Sequence, residues 1–220
     1  MGEFSPDAAG DLGRDRIVYL IRHCDVENPL NVVYGRIGGF ALSELGRNQA
    51  ERVADYLETR PLGLIFASPQ LRAQQTARAI RRRHPKVPIL ISRRLSEVKT
   101  GYEGRSATDI PSTVNMFDNP IDALDESIAD VERRMRRFLT AIVRRPTGEG
   151  EIVAVSHAAP ISILRTFFDG LPPTVSSLRS RDPQKGSITT LEYVNQVWSM
   201  RSYQDPAGFG LIAPVQPPGG

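Results

Sequence analysis

The stretch RIVYLIRHCDVENP, residues 16–29, joins a run of apolar and β-branched residues to three reactive side chains. The run predicts a buried strand over residues 16–21. Arg22, His23 and Cys24 follow it directly and bring a guanidinium, an imidazole and a thiol to its end. In open α/β sheets, ligands bind beyond the carboxyl ends of the strands. The stretch therefore indicates an α/β sheet with chemistry at this edge.

The bulk composition bounds the class of protein. The 220 residues fit one domain, or at most two small ones, and are enough to bury a core without disulfides. The fractions of hydrophobic (40%) and charged (24%) residues are ordinary for a soluble globular protein. A formal net charge of +3 is too small to indicate a nucleic-acid partner. We interpret the arginine clusters at 81–83 and 133–137, which lack interleaved aromatic residues, as solvated helix faces.

The chain carries one cysteine, which excludes an intramolecular disulfide and is compatible with a reducing compartment. Residues 1–15 contain no apolar core of a signal peptide, and no apolar run approaches membrane-spanning length. We therefore expect a cytoplasmic protein without a membrane partner. A homodimer is compatible with the sequence, which does not determine the oligomeric state.

Strand and helix patterns alternate along the chain, which favours an α/β layer fold. Helices are predicted from residue 43, from residue 68, over 126–144 and over 160–168. Strands are predicted over residues 16–21, 63–67, 87–91, 151–155, 187–193 and 197–203, the last two as a hairpin.

The predicted folded domain covers residues 16–204. Before it, we expect residues 1–15 to be flexible. After it, residues 205–220 form a Pro/Gly-rich tail that we also expect to be flexible. Within the domain, residues 98–125 have no clean periodicity and are predicted to form a small, loop-rich cap.

Two serines are predicted to cap helices. Ser43 is a good N-cap for the first helix, and Ser68 with Pro69 at the first helical position would open the second. The faces predicted to be buried are Ala50, Val53, Ala54 and Leu57 in the first helix, and Ala73, Thr76, Ala77 and Ile80 in the second.

Three predicted strands end in polar side chains, which should converge at one edge of the sheet. Two arginines near helix N-termini would form an anion site there, most naturally for phosphate. The residues concerned are Arg22 and His23 after the first strand, Ser68 and Arg72 after the second, and Ser156 and His157 after the strand at 151–155.

His23 is a better candidate nucleophile than its neighbour Cys24. A cysteine phosphatase loop needs an arginine six residues after the cysteine, and that position is Leu30. No second cysteine is present for metal ligation or redox exchange. We interpret Cys24 as a small packing residue and His84, at a helix end, as a surface residue.

The ordered set of motifs resembles the histidine phosphatase superfamily, the phosphoglycerate mutase-like enzymes, over roughly residues 16–203. Each motif is weak alone, but their order and spacing are specific. The matching pieces are Arg22-His23, YGRIGG at 34–39, LSELGRNQA at 42–50, SPQLRAQQTA at 68–77, LSE at 95–97, GYEG at 101–104 and Ser156-His157.

The resemblance implies a three-layer αβα sandwich with a mostly parallel mixed sheet. It also implies that His23 becomes a phosphohistidine, that Arg22, Arg72 and His157 complete the phosphate pocket, and that Glu97 donates the proton. It implies no metal and no cofactor. Residue 158, where the acid phosphatase branch of the family carries an aspartate donor, is an alanine.

Glu103 lies close to Glu97 in sequence, in the same loop, and is the reserve candidate for the proton donor. The same resemblance assigns two further residues. Asn28 and Arg36 are predicted to contact substrate. The short segment around Arg36 also occurs in fructose-bisphosphate phosphatases of the family, which suggests a phosphorylated sugar. The usual glycine after the nucleophile is Cys24, a departure that bears on substrate fit.

The sequence thus predicts a metal-independent phosphomonoesterase that acts on a small phosphorylated metabolite. A phosphomutase of the phosphoglycerate type is the alternative within the family. A non-catalytic module that binds a phosphorylated ligand is the alternative from another class, and a phosphoprotein or phosphohistidine phosphatase would need a more open site. The complete set of predicted polar residues favours an enzyme.

Overall fold

Six β-strands form one central sheet in the computed structural model, which describes residues 2–6, 15–144 and 149–207. The strands are β1 (Arg16–Arg22), β2 (Leu62–Ala67), β3 (Ile89–Ile91), β4 (Glu151–Ser156), β5 (Ile188–Val194) and β6 (Val197–Gln204). Their order in the sheet is β3-β2-β4-β1-β5-β6. The first four strands run parallel, whereas β5 is antiparallel to β1 and β6 is antiparallel to β5.

Helices cover both faces of this sheet. They are α1 (Glu44–Leu57), α2 (Leu71–Arg83), α3 (Ile128–Val143), α4 (Ala158–Phe168) and α5 (Val175–Ser180). One apolar core lies under α3 and α4, and a second lies under α1 and α2. Successive residues of the two central strands, β1 and β4, point into opposite cores. The core under α3 and α4 contains Val18, Leu20, Ile152 and Ala154. The core under α1 and α2 contains Tyr19, Ile21, Val153 and Val155.

This arrangement confirms the predicted three-layer sandwich with a mostly parallel mixed sheet. Because side chains alternate between the faces of a strand, a strand covered on both faces must be apolar at every position. Residues 18–21 of β1 are at most 4% exposed. The continuous apolar run that suggested a buried strand therefore has its physical cause in the two helical layers.

Of the two serines predicted to cap helices, one does so and the other does not. The hydroxyl of Ser43 accepts a hydrogen bond from the Gly46 amide (3.0 Å) and caps α1 as predicted. The prediction that Ser68 caps the second helix is wrong. That helix begins at Leu71, and Gln70 occupies the N-cap position without a side-chain capping bond. The hydroxyl of Ser68 is used at the candidate site instead.

The predicted buried faces of α1 and α2 are confirmed, since all eight of their residues are buried. The predicted hairpin is confirmed as well: Asn195 and Gln196, with φ of 51° and 66°, turn β5 into β6. Positive φ at both central residues gives the turn the twist that antiparallel strands need. The short helix α5 was not predicted, because six residues show too little periodicity to recognise.

Residues 2–6, which belong to the segment predicted to be flexible, pack against the domain. Phe4 is 7% exposed and pairs with Trp198 of β6, whose amide donates to the Phe4 carbonyl (3.0 Å). The amide of Gly2 donates to the Phe168 carbonyl (2.7 Å) at the end of α4. A single aromatic residue within a polar segment gave no periodic signal. Residues 7–14 lie outside the described part of the chain.

Residues 98–125 are irregular apart from a short 3₁₀ turn, Ala107–Asp109. They pair with the loop after β1, where the Val33 amide donates to the Arg105 carbonyl (2.8 Å). That this segment caps a bound substrate stays a prediction. In the predicted tail, the carbonyl of Pro206 accepts from Arg52 Nη2 (2.9 Å), and residues 208–220 lie outside the described part.

Among the described residues, no helix combines the length and the hydropathy of a membrane-spanning segment.

Removing the buried ring of Phe4 should destabilise the whole domain. Phe4→Ala should lower the free energy of unfolding by about 3 kcal/mol, because a buried ring is lost and leaves a cavity. Denaturation in urea measures the change. Leu45→Ala, at a position that is 59% exposed, is the control and should stay within about 0.5 kcal/mol of the wild type. Equal stability of the two variants would contradict the anchoring role.

Candidate active site

The carboxyl ends of three neighbouring parallel strands, β2, β4 and β1, meet at one edge of the sheet. Arg22 lies opposite Ser156 in the register of β1 and β4. The amide of His23 donates to the Ser156 carbonyl (3.0 Å), and the amide of Ser68 donates to the Val155 carbonyl (3.0 Å). These bonds carry the sheet pairing one residue past each strand end. The predicted convergence of the polar residues is therefore observed.

His23 is buried, and its two ring nitrogens have different partners. Nδ1 lies 2.8 Å from the carbonyl oxygen of Cys24, and Nε2 lies 3.2 Å from Nε of Arg72. Because a carbonyl only accepts and a guanidinium only donates, the proton is on Nδ1 and the lone pair is on Nε2. The fold thus fixes the tautomer in which Nε2 is free to act as a nucleophile.

The imidazole of His23 is held in its neutral form. Burial is the largest cause that lowers the pKa of His23 well below its ordinary value. The positive charge of Arg72 comes next, and that of Arg22 contributes less. The exclusion of water therefore lowers the pKa of His23 more than either arginine does.

His157 lies beside His23, with ring centroids 5.1 Å apart. Its Nδ1 is 3.1 Å from Nη2 of Arg72, and its Nε2 is 2.7 Å from the Ser68 hydroxyl and 3.1 Å from Oε1 of Gln70. Burial and then the neighbouring His23 lower the pKa of His157 well below its ordinary value. His157 is therefore neutral in the ligand-free site.

Arg72 connects the two histidines. Besides His23 and His157, its guanidinium donates to the Gly35 carbonyl (2.6 Å from Nη2) and lies 4.5 Å from the ring centroid of Tyr34. The residue is fully buried, yet its Nη1 has no hydrogen-bond partner among the described residues. A buried guanidinium with an unpaired nitrogen is costly, which indicates that an anion belongs here.

The guanidinium of Arg22 also has a buried nitrogen without a hydrogen-bond partner among the described residues. Its Nη1 donates to the Pro183 carbonyl (2.5 Å), and the carboxylate of Asp182 lies 3.6 Å from the same nitrogen. Its Nε is buried and has no hydrogen-bond partner in the described part of the chain. Arg72 thus offers an unpaired donor next to the unprotonated nitrogen of His23. Arg22, whose charge also acts on His23, adds a second guanidinium with an unpaired donor that can bind an oxyanion.

The predicted proton donor Glu97 is 9% exposed and follows a 3₁₀ turn, Arg93–Leu95, after β3. Its Oε1 accepts from the Val98 amide (2.9 Å). Burial raises the pKa of Glu97, although this hydrogen bond and the charges of Arg72 and Arg22 act in the opposite direction. A carboxyl that retains its proton more readily than usual is suited to general-acid catalysis.

The remaining polar residues predicted for the site have internal partners. The amide group of Asn28 both donates to the Val32 carbonyl (3.0 Å) and accepts from the Val32 amide (3.1 Å). The guanidinium of Arg36 binds the Glu97 carbonyl (2.7 Å) and the carboxylate of Glu126 (2.7 Å). Substrate contacts by Asn28 and Arg36 stay predictions.

Glu103, the reserve candidate for the donor, accepts from the Arg36 amide (2.8 Å from Oε1). It therefore fixes the loop after β1. This loop passes so close to Glu103 that a Cβ built on Gly35 would lie 2.4 Å from its Oε1. Gly35 also has a φ of +35°, which leaves glycine as the residue that fits there.

Cys24 is fully buried, as expected of a packing residue. Burial raises the pKa of its thiol to about 12, so that the reactive thiolate is absent at neutral pH. The amide of Cys24 donates to the Thr76 hydroxyl (3.2 Å) on α2. The structure thus supports His23 rather than Cys24 as the nucleophile.

The sequence predicted Ser68 at this edge of the sheet but not its contact with His157, which it orients together with Gln70. It did not predict Gln70 or Tyr34, whose ring lies edge-on to His23 with centroids 6.3 Å apart. Both residues lie within recognised motifs, and this was the signal that could have identified them. Arg134, assigned to a solvated face, was also missed: its side chain is 14% exposed and binds Glu126 and the Glu97 carbonyl.

No group of three or more His, Cys, Asp or Glu side chains in the described residues is placed to hold a metal ion. The chemistry that the site offers comes from the two guanidinium groups, the neutral imidazoles and the buried carboxyl group. Together these can bind a tetrahedral oxyanion, attack it and protonate a leaving oxygen.

Comparison with known proteins identifies the family. The chain belongs to the histidine phosphatase superfamily, branch 1, whose family model matches residues 18–206. The predicted family, and with it the phosphatase class, is confirmed.

Individual relatives agree with this assignment. An uncharacterized protein of Mycobacterium tuberculosis, Rv0525, is 34% identical over 80% of this chain and 89% of its own length. The 2,3-bisphosphoglycerate-dependent phosphoglycerate mutase of Thermoplasma acidophilum is 28% identical over 86% of this chain and 98% of its own. A mycobacterial glucosyl-3-phosphoglycerate phosphatase superposes with a TM-score of 0.67 at 25% identity, over 81% of this chain and 91% of its own.

Inorganic phosphate should stabilise the wild type, because it satisfies the unpaired donors of Arg72 and Arg22. At about 100 times its Kd, phosphate should add about 2.7 kcal/mol of stability, measured as a rise in Tm against chloride at equal ionic strength. Arg72→Lys should abolish most of this rise, because an ammonium cannot reproduce the guanidinium fork. Arg78→Lys, on the exposed face of the same helix, is the matched control and should leave the rise unchanged. Equal rises in all three proteins would refute an anion site at Arg72.

The stability of the protein should fall with pH below the ordinary pKa of histidine. Because the pKa of His23 is lower in the folded than in the unfolded state, the unfolded chain binds the proton first as the pH falls. The stability due to neutral His23 is therefore complete above about pH 6.5 and is lost below it, by up to about 1.4 kcal/mol per pH unit. His23→Asn removes this component. Urea denaturation between about pH 5 and 8 should show that the wild type loses more stability than the variant as the pH falls, whereas parallel curves would argue against a neutral His23.

Proposed function

We propose that the protein is a metal-independent phosphomonoesterase that hydrolyses a small phosphorylated metabolite through a phosphohistidine on His23. One observation carries the proposal: the unprotonated Nε2 of His23 lies 3.2 Å from a buried arginine whose Nη1 has no partner among the described residues. A phosphoryl group bound to Arg72 would lie next to Nε2 of His23, where that nitrogen can attack it. Proximity and orientation supply a large part of the rate in such transfers.

The first chemical step transfers the phosphoryl group to the enzyme. The lone pair of His23 Nε2 attacks phosphorus, the N–P bond forms, and the ester P–O bond breaks. Glu97 gives its proton to the departing oxygen, so that the product leaves as an alcohol. The hydrogen bond from Nδ1 to the Cys24 carbonyl stabilises the positive charge that develops on the ring.

Charge on the phosphoryl oxygens is balanced by Arg72 and Arg22. Their unpaired nitrogens donate to these oxygens, and the fixed geometry avoids reorganisation during the reaction. His157 presents Nδ1 on the side of Arg72. The approach of a phosphate dianion raises the pKa of His157, and protonation at Nδ1 then adds a third cationic donor.

The second step returns the enzyme to its starting state. A water molecule attacks phosphorus, Glu97 as a carboxylate accepts its proton, and the P–N bond breaks to release orthophosphate and neutral His23. Because burial raises the pKa of Glu97, the same group serves as acid in the first step and as base in the second. No step needs a metal ion, since the arginines provide the positive charge.

The substrate class is a small phosphorylated metabolite, as the mycobacterial relative that is a glucosyl-3-phosphoglycerate phosphatase supports. A sugar phosphate fits the resemblance of the segment around Arg36, although the internal partners of that side chain weaken the argument. A cytoplasmic location accords with the one free cysteine, Cys24. The homodimer stays a prediction of the sequence.

A phosphomutase is the second candidate, because a relative that covers most of the chain is a phosphoglycerate mutase. A mutase forms the same phosphohistidine but returns the phosphoryl group to another hydroxyl. The two candidates differ in whether orthophosphate appears in solution.

Hydrolysis of para-nitrophenyl phosphate in excess EDTA tests the proposal. The wild type should release orthophosphate, whereas His23→Ala should lose at least about 10³-fold in kcat, because the nucleophile is removed. Cys24→Ala is the neighbouring control and should retain most of the turnover. Acid-labile phosphate should be trapped on the wild type and be absent from His23→Ala.

Each result discriminates between the candidates. A phosphohistidine without release of orthophosphate would support the mutase. Loss of turnover in Cys24→Ala with retention in His23→Ala would overturn the assignment of the nucleophile. Turnover that EDTA abolishes would overturn metal independence.

A further inference from the structure

Glu126, just before α3, has four hydrogen bonds to the region that carries the proposed acid. Its Oε2 accepts from Nη2 of Arg36 (2.7 Å), from Nη2 of Arg134 (3.1 Å) and from the Lys99 amide (3.0 Å). Its Oε1 accepts from Nε of Arg134 (2.9 Å). The side chain is 19% exposed, so these bonds are partly shielded from water. Neither the family motifs nor the proposed mechanism assigns this residue a role.

The two arginines held by Glu126 converge on one backbone atom. Nε of Arg36 and Nη2 of Arg134 both donate to the carbonyl oxygen of Glu97, at 2.7 and 3.2 Å. Arg134 also donates to the Arg94 carbonyl (2.6 Å), one turn earlier. The main chain on both sides of the Glu97 side chain is therefore fixed by a single ion cluster.

The charges around Glu97 explain why the cluster contains a carboxylate. Arg22 and Arg72 face Glu97 from the pocket, Arg134 faces it from α3, and all three lower its pKa. Arg36 adds a fourth cation at the Glu97 carbonyl. Glu126 is the negative charge that binds two of these four cations. Burial alone would raise the pKa of Glu126, but Arg134, the Lys99 amide and Arg36 hold it below its ordinary value, so that it stays ionised.

We propose that Glu126 is a positioning residue for the acid–base group Glu97. It aims the Glu97 carboxyl at the leaving oxygen through Arg36 and Arg134, and it neutralises these two cations so that the carboxyl keeps its proton. This inference rests on the proposed function, in which Glu97 protonates the alcohol. The role of Arg36 in this arrangement differs from the substrate contact predicted from the sequence.

The role has a consequence that depends on the leaving group. An alkoxide is a poor leaving group and needs a proton, whereas para-nitrophenolate departs without one. A misplaced or deprotonated Glu97 should therefore slow alkyl esters far more than aryl esters. The ratio of kcat/KM for the two substrates measures this, since kcat/KM covers the steps up to release of the alcohol.

Glu126→Gln is the test variant, because it keeps the size of the side chain but removes the charge and one acceptor. With glycerol 2-phosphate its kcat/KM should fall by about 10- to 100-fold, and with para-nitrophenyl phosphate by less than about 3-fold. Glu132→Gln, in the ion pair with Arg136 on the same helix, is the matched control and should leave both values unchanged.

The pH profile separates positioning from a loss of structure. Glu126→Gln leaves two cations uncompensated near Glu97, so the basic limb of kcat/KM should move to lower pH. Arg134→Met removes one of these cations and should move the same limb to higher pH. Damage to the fold would not give shifts of opposite sign in the two variants. Arg134→Met also provides a test if Glu126→Gln fails to fold.

Glu97→Gln separates the inference from the proposed function. If Glu97→Gln leaves the ratio of alkyl to aryl hydrolysis unchanged, the acid role of Glu97 fails, and the role of Glu126 fails with it. If Glu97→Gln lowers the ratio but Glu126→Gln does not, the acid role stands and the inference about Glu126 is overturned. Equal losses with both substrates in Glu126→Gln would mean a purely structural role and would also overturn it.

Discussion

The buried charge of Arg72 is the constraint on which the site depends. A guanidinium keeps its proton under all ordinary conditions, and removing it from water costs several kcal/mol unless partners replace the lost hydration. Its partners among the described residues are one carbonyl oxygen, two imidazole nitrogens and the face of an aromatic ring. None of these carries a negative charge. The ligand-free site is therefore electrostatically incomplete, and an oxyanion is the group that completes it.

The same constraint sets the state of the two histidines. Arg72 and the exclusion of water act in one direction on His23 and His157 and keep both neutral. Neutrality gives His23 a lone pair for attack, and it leaves His157 able to take up a proton when a phosphate dianion arrives. Stability and activity thus oppose each other here, because the arrangement that is costly without ligand is the one that binds the reacting group.

The sequence predicted the fold and the central residues because both depend on local signals. The apolar runs that end at Arg22 and Ser156 place those residues at strand ends, and the parallel topology brings them together. Other features depend on contacts between distant segments. Arg36 binds Glu126, 90 residues away, and Arg134 binds the Glu97 carbonyl, 37 residues away. No periodicity in the sequence marks such an ion cluster. Phe4 was missed for the same reason, since its partner Trp198 is at the other end of the chain.

The pairing of residues 2–6 with β6 covers part of an edge of the sheet. β6 is a terminal strand of the sheet, and an open strand edge is a template for pairing with other chains. The amide of Trp198 donates a hydrogen bond to the Phe4 carbonyl and is therefore not available to a strand of another chain. At the opposite edge, β3 has three residues, too few to recruit a partner strand. Without this segment the Trp198 amide would be free to pair with a strand of another chain, so residues 2–6 cover part of the sheet edge as well as contributing Phe4 to the apolar core.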